Sequence, residues 1–435
     1  MASSDPSQVR IGLLGMGTVG GALVALIDQQ HPTIEERTGI ELIVTRIAVR
    51  DMDRPREVEV AAGMLTTDAM SVVESEHVDV VVELMGGIDP AKELITRALE
   101  LGKPVVTGNK ELVAAHGAEL FQAAASGTPA PLLFEASVAG GIPLMRALEQ
   151  SLRGEPLTRI IGIVNGTTNY ILTQMTDFGR TYDDVLAEAQ ELGYAEADPT
   201  ADVDGHDAAA KAAIIATASM GGAVTSDDVA VEGIRSITIG DIESATNMGY
   251  VIKLLAIIER LEGDDGDEVA VRVHPTMVPK THPLAAVRDS FNAVFIEGDA
   301  VGDLMLYGRG AGGAPTASAV LGDVIEAALS TRSDATPTRA ESAPAKVRAV
   351  TDLQSAFYLE IEVGDRPGVL AEVAGIFGAH AVSIRSMEQK GMGADARLVF
   401  ITHEALESDM DATVQKLSSL EAVHRVGTKL RVIGD

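Results

Sequence analysis

Short apolar runs alternate with amphipathic segments along the first 135 residues. The runs are rich in β-branched residues, and between them apolar positions recur every three or four residues, as on one face of a helix. Strands that alternate with helices in this way indicate an α/β domain with a parallel, doubly wound sheet covered on both faces. We predict strands at residues 9–14, 41–49, 78–84, 104–106 and 132–134, and helices at residues 23–29, 90–101 and 110–125.

The pattern changes after residue 135. Between residues 136 and 307 helices and strands no longer alternate strictly, which favours an α+β domain, and about residues 308–330 contain a helix that could return to cover the first domain. Residues 331–350 are rich in Ser, Thr, Ala and Pro and are typical of a linker. Residues 351–435 have the element order βαββαβ, which is the ferredoxin-like arrangement.

The composition excludes several classes of protein. The 435 residues include 34 basic and 64 acidic side chains, and the net charge of -30 repels nucleic acid and anionic lipid. The chain has no cysteine, so disulfides and cysteine nucleophiles are excluded. No apolar run reaches the roughly 18 residues that a bilayer span needs, and nothing near the start has the pattern of a secretory signal. We therefore expect a cytoplasmic protein with no nucleic-acid or membrane partner.

A glycine-rich turn follows the first predicted strand. Gly15, Gly17 and Gly20 form the pattern GxGxxG between a strand and a helix. This context favours a dinucleotide site, because bare backbone and a helix N-terminus can receive a pyrophosphate. After the second strand, Arg50 favours the 2′-phosphate of NADP, whereas the adjacent Asp51 could bind the ribose of NAD. A pair of solvated loop charges is the alternative.

Charged residues elsewhere are candidates for chemistry. Asp207 and Lys211 lie one turn apart on a helix made otherwise of Ala and Ile, which favours a dry site over an ordinary surface pair. Lys110 follows a parallel strand at the edge where open α/β sheets place ligands, although a helix-capping lysine is equally typical there. Glu196 could bind a cationic group or be a surface charge. Glu135 precedes a glycine-rich turn whose carbonyls could hold a hard cation.

Several segments, taken in order, resemble those of homoserine dehydrogenases of the monofunctional type with a C-terminal ACT domain. The resemblance runs nearly from end to end of the chain. It implies reversible reduction of aspartate 4-semialdehyde to homoserine with NADPH or NADH, in threonine, methionine and isoleucine biosynthesis. The segments are the GxGxxG turn, TGNKELVAAHG at 107–117, FEASVAGGIPL at 134–144, NGTTNYIL at 165–172, the Asp207–Lys211 pair and YGRGAGGAPTASAVLGD at 307–323.

The resemblance implies a role for each matching residue. Residues 136–307 would form the catalytic and dimerisation domain, in which Lys211 donates a proton to the substrate, Asp207 holds that lysine, and Lys110 lies near the nicotinamide. The substrate would contact Glu196, Asp202 and Asp207, with Glu196 taking its ammonium group. The coenzyme would contact Gly15, Gly17, Thr18, Val19, Gly20, Ala48, Arg50, Lys110, Gly193 and Gly312. A sodium ion would be held by Glu135 and the carbonyls of Val138, Gly140 and Ile142.

The last 85 or so residues are similar to ACT domains, which pair and bind amino acids where they meet. This similarity implies a homodimer or homotetramer with threonine as a feedback effector. Residues 378–380 are Gly-Ala-His where many effector-binding ACT domains carry asparagine, so a purely structural pairing module is the alternative. For the whole chain, the alternative is a catalytically silent sensor of amino acids. Phosphorylating semialdehyde dehydrogenases are excluded, because their chemistry needs a cysteine.

Overall fold

Strands and helices nearly alternate in the N-terminal domain, which has a two-residue strand at residues 65–66 and a short helix at residues 69–73 beyond the elements that the apolar pattern predicts. The computed structural model describes residues 7–332, 343–391 and 396–433. The elements are β1 (Ser7–Leu14), α1 (Thr18–Thr38), β2 (Ile40–Ala48), β3 (Leu65–Thr66), α2 (Ala69–Val73), β4 (Val80–Glu83), α3 (Ala91–Glu100), β5 (Val105–Thr107), α4 (Lys110–Ala125) and β6 (Leu132–Leu133). All six strands are parallel, in the order β3-β2-β1-β4-β5-β6, so the predicted doubly wound sheet is confirmed.

The central domain is built on a mostly antiparallel sheet. Its strands are β7 (Leu157–Ile163), β8 (Ala230–Val231), β9 (Tyr250–Leu261), β10 (Glu268–Pro279), β11 (Phe291–Gly298) and β12 (Gly302–Arg309). Its helices are α5 (Leu144–Arg146), α6 (Gly166–Phe178), α7 (Tyr182–Glu191), α8 (Thr200–Val203), α9 (His206–Met220) and α10 (Ile239–Asn247), with a π-helical turn at Ala147–Ser151. The long strands lie in the order β12-β11-β7-β9-β10, and α6, α7, α9 and α10 share a core with one face.

Helix α11 (Gly313–Ser330) returns the chain to the N-terminal domain. Its buried side chains, such as Val320 and Val324, share a core cluster with Leu23 and Ile27 of α1. The opposite face of the parallel sheet is covered by α2, α3 and α4. Helices thus cover both faces of the parallel sheet, which explains why the strands of the first domain are apolar on both faces.

The C-terminal domain has the predicted βαββαβ order, with one additional two-residue strand. Its elements are β13 (Gln354–Val363), α12 (Val369–Ala379), β14 (Ile384–Lys390), β15 (Ala396–Thr402), β16 (Ala405–Leu406), α13 (Glu407–Ser418) and β17 (Val423–Val432). The strands pair antiparallel in the order β17-β13-β15-β14, which leaves β14 at the edge of the sheet.

The central and C-terminal sheets are continuous. Strand β17 runs parallel to β10, with Arg431 opposite Thr276. The guanidinium of Arg431 is 5% exposed and binds both carboxylate oxygens of Glu407, at 2.6 and 2.9 Å. It also lies 2.7 Å from a carboxylate oxygen of Glu232, in the central domain. A buried arginine therefore joins two carboxylates from different domains.

Three features differ from what the sequence pattern predicts. Helix α1 is longer than the predicted 23–29 and passes through Pro32. Strand β9 shows no alternation of apolar and polar residues, because both of its faces are largely buried and apolar residues flank Lys253 on either side. Residues 333–342 of the predicted linker lie outside the described residues, but Lys346 and Arg348 exchange backbone hydrogen bonds with Val269 of β10, so this end of the segment packs on the sheet. No helix in the described ranges has the length and apolar character to cross a membrane.

We expect Arg431→Ala to lower the free energy of unfolding by about 3 kcal/mol, because it removes the bidentate partner of the buried Glu407 and leaves that carboxylate only Lys429, at 3.2 Å. Arg425→Ala on the same strand is the matched control. The Arg425 side chain is 57% exposed and pairs with Glu362, so its loss should cost less than about 1 kcal/mol. Urea unfolding of both variants measures the difference, and equal losses would contradict the assigned importance of the buried pair.

Candidate active site

A cleft opens where the carboxyl ends of β4 and β5 face the central domain. Its volume is about 260 Å³. Open α/β sheets bind ligands at this edge. The cleft is lined by Gly86, Gly87, Gly108, Asn109, Lys110, Glu111, Ala136, Ser137, Ala139, Gly140, Lys211, Gly310, Ala311 and Thr316.

The Asp207 carboxylate joins the two lysines of this cleft. Lys110 Nζ donates to Asp207 Oδ1 at 2.5 Å, and Lys211 Nζ donates to Asp207 Oδ2 at 2.8 Å. The Asp207 side chain is 4% exposed. Burial would raise the pKa of Asp207, but the two ammonium groups outweigh burial and hold this pKa well below its usual range. Burial would likewise lower the pKa of Lys110, but Asp207 outweighs it and raises that pKa.

Local folding explains why these side chains meet. Asn109 accepts a hydrogen bond from the backbone N–H of Leu112 and so begins α4, which places Lys110 at the first helical position, directly after the end of β5. Helix α9 begins after Gly205, whose φ of 87° suits glycine. Asp207 and Lys211 therefore lie on one face near the start of α9, and Lys211 Nζ also donates to the carbonyl of Val164, at 2.7 Å.

Asn165 is a site residue that the reasoning from sequence did not single out. Its Oδ1 accepts from the backbone N–H and the hydroxyl of Thr168, because Asn165 caps α6. The cap turns its Nδ2 towards two carboxylates, Asp202 Oδ1 at 2.7 Å and Asp207 Oδ2 at 2.8 Å. Asn165 thus brings Asp202 into the cluster. An asparagine at a helix start after a strand is the signal that could have found it.

The glycine-rich turn has the geometry of a dinucleotide site. Gly15 has a φ of 100°, and a Cβ there would lie 2.7 Å from the carbonyl oxygen of Leu84. A Cβ on Gly20 would collide with the carbonyl of Gly15, whereas nothing lies within 4 Å of the corresponding position on Gly17. The first and third glycines are therefore needed for the turn and for helix packing, and the second leaves open space where a pyrophosphate could approach.

Other predicted coenzyme contacts surround this turn. Thr18 and Val19 begin α1, and Gly15 donates its N–H to the carbonyl of Ala48 at 2.9 Å. Gly312 caps α11 with a φ of 124°, and a Cβ on the next residue, Gly313, would lie 3.1 Å from Thr18. The start of α11 therefore lies against the turn.

Arg50 lies in the loop after β2 and is exposed. Its guanidinium has no hydrogen bond or ion pair with any residue that the structure describes. Arg56, by contrast, folds back and donates to the carbonyls of Met52 and Arg54, at 3.1 and 2.9 Å. Among the described residues, Arg50 and Arg54 are thus the arginines of this loop whose guanidinium groups are free for a ligand, and Arg50 is the one directly after the end of β2.

Glu196 and Gly193 lie in the loop after α7. The hydroxyl of Thr167 donates to the carbonyl of Tyr194 at 2.7 Å, which holds this loop against the first turn of α6. The carboxylate of Glu196 is exposed and makes no hydrogen bond or ion pair in the described part of the chain, so it does not join the Asp207 cluster directly.

The carboxylate of Glu135 supports the chain locally. Its two oxygens accept from the backbone N–H groups of Met145 and Arg146, at 2.8 and 2.9 Å. Burial raises the pKa of Glu135. In the loop that follows, Ala139 and Gly140 have positive φ angles of 56° and 52°. Of the expected cation ligands, Glu135 can therefore offer its main-chain carbonyl, as can Val138, Gly140 and Ile142.

The GxGxxG turn, the parallel sheet and the lysine cluster define an NAD(P)-dependent oxidoreductase. The homoserine dehydrogenase of Corynebacterium glutamicum is 48% identical over 431 residues, which are 99% of this chain and 96% of that protein. That of Mycobacterium tuberculosis is 45% identical and covers 99% of both chains. The chain belongs to the homoserine dehydrogenase family, and it is an oxidoreductase of the aspartate pathway.

Family models and solved structures agree with this assignment. The models match "Homoserine dehydrogenase, NAD binding domain" at residues 15–129, "Homoserine dehydrogenase" at 143–325 and "ACT domain" at 357–422. A homoserine dehydrogenase structure from Thiobacillus denitrificans is 40% identical with a TM-score of 0.92, covering 98% of both chains. A hyperthermophilic archaeal homoserine dehydrogenase in complex with NADPH is 30% identical with a TM-score of 0.63, covering 76% of this chain and all of that one.

We expect Asn165→Asp to lower kcat/KM about 100-fold and also to lower the free energy of unfolding, because position 165 is buried. Aspartate caps a helix as well as asparagine does, but it would add a third carboxylate beside Asp202 and Asp207 and remove both of their amide donors. Steady-state kinetics and urea unfolding measure the two effects.

Asn165→Ser is the matched control, because serine keeps the cap without adding a charge. It should lower kcat/KM about tenfold, through loss of the hydrogen bonds to charged groups. An aspartate variant as active as the unmodified protein would show that the amide does not organise the cluster.

Proposed function

We propose that this chain catalyses the reversible reduction of aspartate 4-semialdehyde to homoserine in the cleft that contains Lys110 and Lys211. The main support for the proposal is that the ammonium groups of Lys110 and Lys211 both bind Asp207. They do so at the same edge of the parallel sheet as the dinucleotide turn. An aldehyde that receives a hydride gains negative charge on its oxygen, and a cation is needed to meet it.

In this proposal Lys211 is the general acid. The nicotinamide, when bound, supplies the hydride in reduction and accepts it in oxidation. Lys211 Nζ gives its proton to the developing alkoxide, and the carbonyl of Val164 and the carboxylate of Asp207 orient the remaining N–H bonds. Lys110 shares Asp207 and keeps the cleft cationic beside the reacting oxygen.

The substrate's ammonium group would be bound by acidic residues at the mouth of the cleft. Asn165 holds Asp202 next to Asp207, and the exposed carboxylate of Glu196 lies on a loop that packs on the same helix. An unpaired carboxylate on this side can attract a cationic group without competing with the lysines for Asp207.

The coenzyme would be held by the Gly15–Gly20 turn, with Ala48, Gly193 and Gly312 around it. The open space at Gly17 fits a pyrophosphate at the N-terminus of α1. We assign a preference for NADP to Arg50, whose exposed guanidinium can pair with a 2′-phosphate.

The same proposal includes a sodium ion in the loop 135–142. The donors would be the main-chain carbonyls of Glu135, Val138, Gly140 and Ile142, and oxygen donors of this kind suit a hard cation. The positive φ angles of Ala139 and Gly140 curl this loop beside the cleft. When bound, the ion would stiffen the loop where the two domains meet.

We further propose that the chain forms a homodimer or homotetramer and that the ACT domain responds to an amino acid such as threonine. Strand β14 lies at the sheet edge with most of its side chains exposed, including Met387 at 40%. Leu370 of the neighbouring α12 is 41% exposed. An edge strand and an exposed apolar helix face are typical of surfaces that pair with a second copy. A catalytically silent sensor finds no support in the comparisons.

Homoserine and NADP+ should together give the absorbance of reduced nicotinamide, and Lys211→Ala should lower kcat about 10³-fold, the range expected for loss of a general acid. Asp207 keeps Lys110 and Asn165 as partners in this variant, so the fold and the coenzyme Kd should change little. Lys280→Ala, which removes an exposed lysine, is the control. Full turnover by the Lys211 variant, or loss of coenzyme binding alone, would refute the assignment of Lys211 as acid.

Arg50→Ala should reduce kcat/KM with NADPH about tenfold and leave the value with NADH unchanged, because a charged hydrogen bond to the 2′-phosphate is lost. The measurement is kcat/KM for both coenzymes in the reduction of aspartate 4-semialdehyde. Arg54→Ala, in the same exposed loop, is the control and should alter neither value. An unchanged ratio in the Arg50 variant would remove this residue from coenzyme selection.

A further inference from the structure

Glu83 is a fully buried carboxylate next to the cleft. It ends β4, and its side chain has 0% exposure. Oε1 accepts from the backbone N–H groups of Met85 and Gly86, at 2.7 and 3.1 Å, and Oε2 accepts from the hydroxyl of Thr107 at 2.7 Å. The hydroxyl of Thr107 in turn accepts from the N–H of Asn109.

Three donors to one carboxylate favour its ionised form. Glu83 accepts from two backbone N–H groups and from the hydroxyl of Thr107. No Lys, Arg or His nitrogen in the described ranges lies within ion-pair distance of Glu83. A buried charge without a cation is costly, and hydrogen bonds offset only part of the cost. The negative charge of Glu83 is therefore costly for folding, which suggests that it serves a function.

The position of Glu83 relates this charge to the coenzyme. Gly86 and Gly87 line the cleft, and the carboxylate lies behind them, bonded to the N–H of Gly86. Asn109 Nδ2 donates to the carbonyl of Gly87 at 2.6 Å. Gly86 and Gly87, which form this wall of the cleft, are thus both held by hydrogen bonds from the Glu83–Thr107–Asn109 network. The carboxylate is thus one layer of backbone away from the space assigned to the nicotinamide.

The charges inside the cleft make this position important. Lys110 and Lys211 share the carboxylate of Asp207, and Asn165 holds the carboxylate of Asp202 beside it, so two positive charges face two negative ones. The nicotinamide ring is cationic when oxidised and neutral when reduced. A further negative charge behind the cleft wall therefore attracts the oxidised ring selectively, over a short, poorly screened distance.

We propose that Glu83 sets the relative affinity for the two redox states of the coenzyme, by favouring the oxidised, cationic ring. The inference rests on the proposed placement of the nicotinamide in the cleft. Because it concerns coenzyme binding alone, it is independent of which carbonyl compound is reduced.

The test compares the Kd of NADP+ and NADPH for the full chain without substrate, by calorimetry. In Glu83→Gln, which keeps the shape and removes the charge, the ratio of Kd for NADP+ to Kd for NADPH should rise about tenfold, equivalent to ~1.4 kcal/mol. Thr107→Val is the matched control. It removes one hydrogen bond but keeps the carboxylate, so any weakening should affect both coenzymes equally and leave the ratio unchanged.

Equal weakening of both coenzymes in Glu83→Gln would overturn the proposal and leave Glu83 as a clamp for the turn. A shift of the ratio as large in Thr107→Val would also overturn it. If the glutamine variant does not fold, the unmodified protein decides: it should bind NADP+ at least as tightly as NADPH, and a tenfold preference for NADPH would contradict the role of Glu83. Failure of the proposed function would be seen separately, as absence of homoserine oxidation by the unmodified protein.

Discussion

The ionised Asp207 carboxylate is the interaction on which the cleft depends. A charge that is 4% exposed is tolerated only when it is paired and hydrogen-bonded, and three donors meet this need. They come from α4 of the N-terminal domain, from α9, and from the residue that begins α6. One carboxylate therefore sets the distance between two ammonium groups from different domains, and the proposed proton transfer needs that arrangement before substrate binds.

Close approach of backbone makes this meeting of domains possible. A Cβ on Gly140 would collide with the carbonyl of Gly310, and Gly313 lies against Thr18 of the dinucleotide turn. Side chains at these positions would separate the loops that line the cleft. These glycines thus let the dinucleotide turn and the loops that line the cleft approach each other closely.

Much of this arrangement could be predicted, because it rests on local rules. The GxGxxG turn has a unique strand-to-helix context, and the spacing of Asp207 and Lys211 places them on one helix face. The contact between Asp207 and Lys110 could not be predicted in this way, because the two residues are 97 positions apart in sequence and meet only through tertiary packing. Strand β9 shows no alternation of apolar and polar residues, because both of its faces are covered by other elements. The role of Asn165 depends on the helix cap that orients its amide towards Asp202. Both features depend on tertiary contacts, which the order of residues along the chain does not show.

The continuity of the sheets gives the C-terminal domain a direct connection to the site. Arg431 of β17 contacts Glu232, and two residues later Ile234 donates its N–H to the carbonyl of Val203, just before α9. Arg235 also pairs with Asp204, at 2.5 Å. Strand β17 is therefore linked by direct contacts to the segment that carries Asp202 and begins the Asp207 helix. The C-terminal domain thus packs against the elements that support the candidate active site.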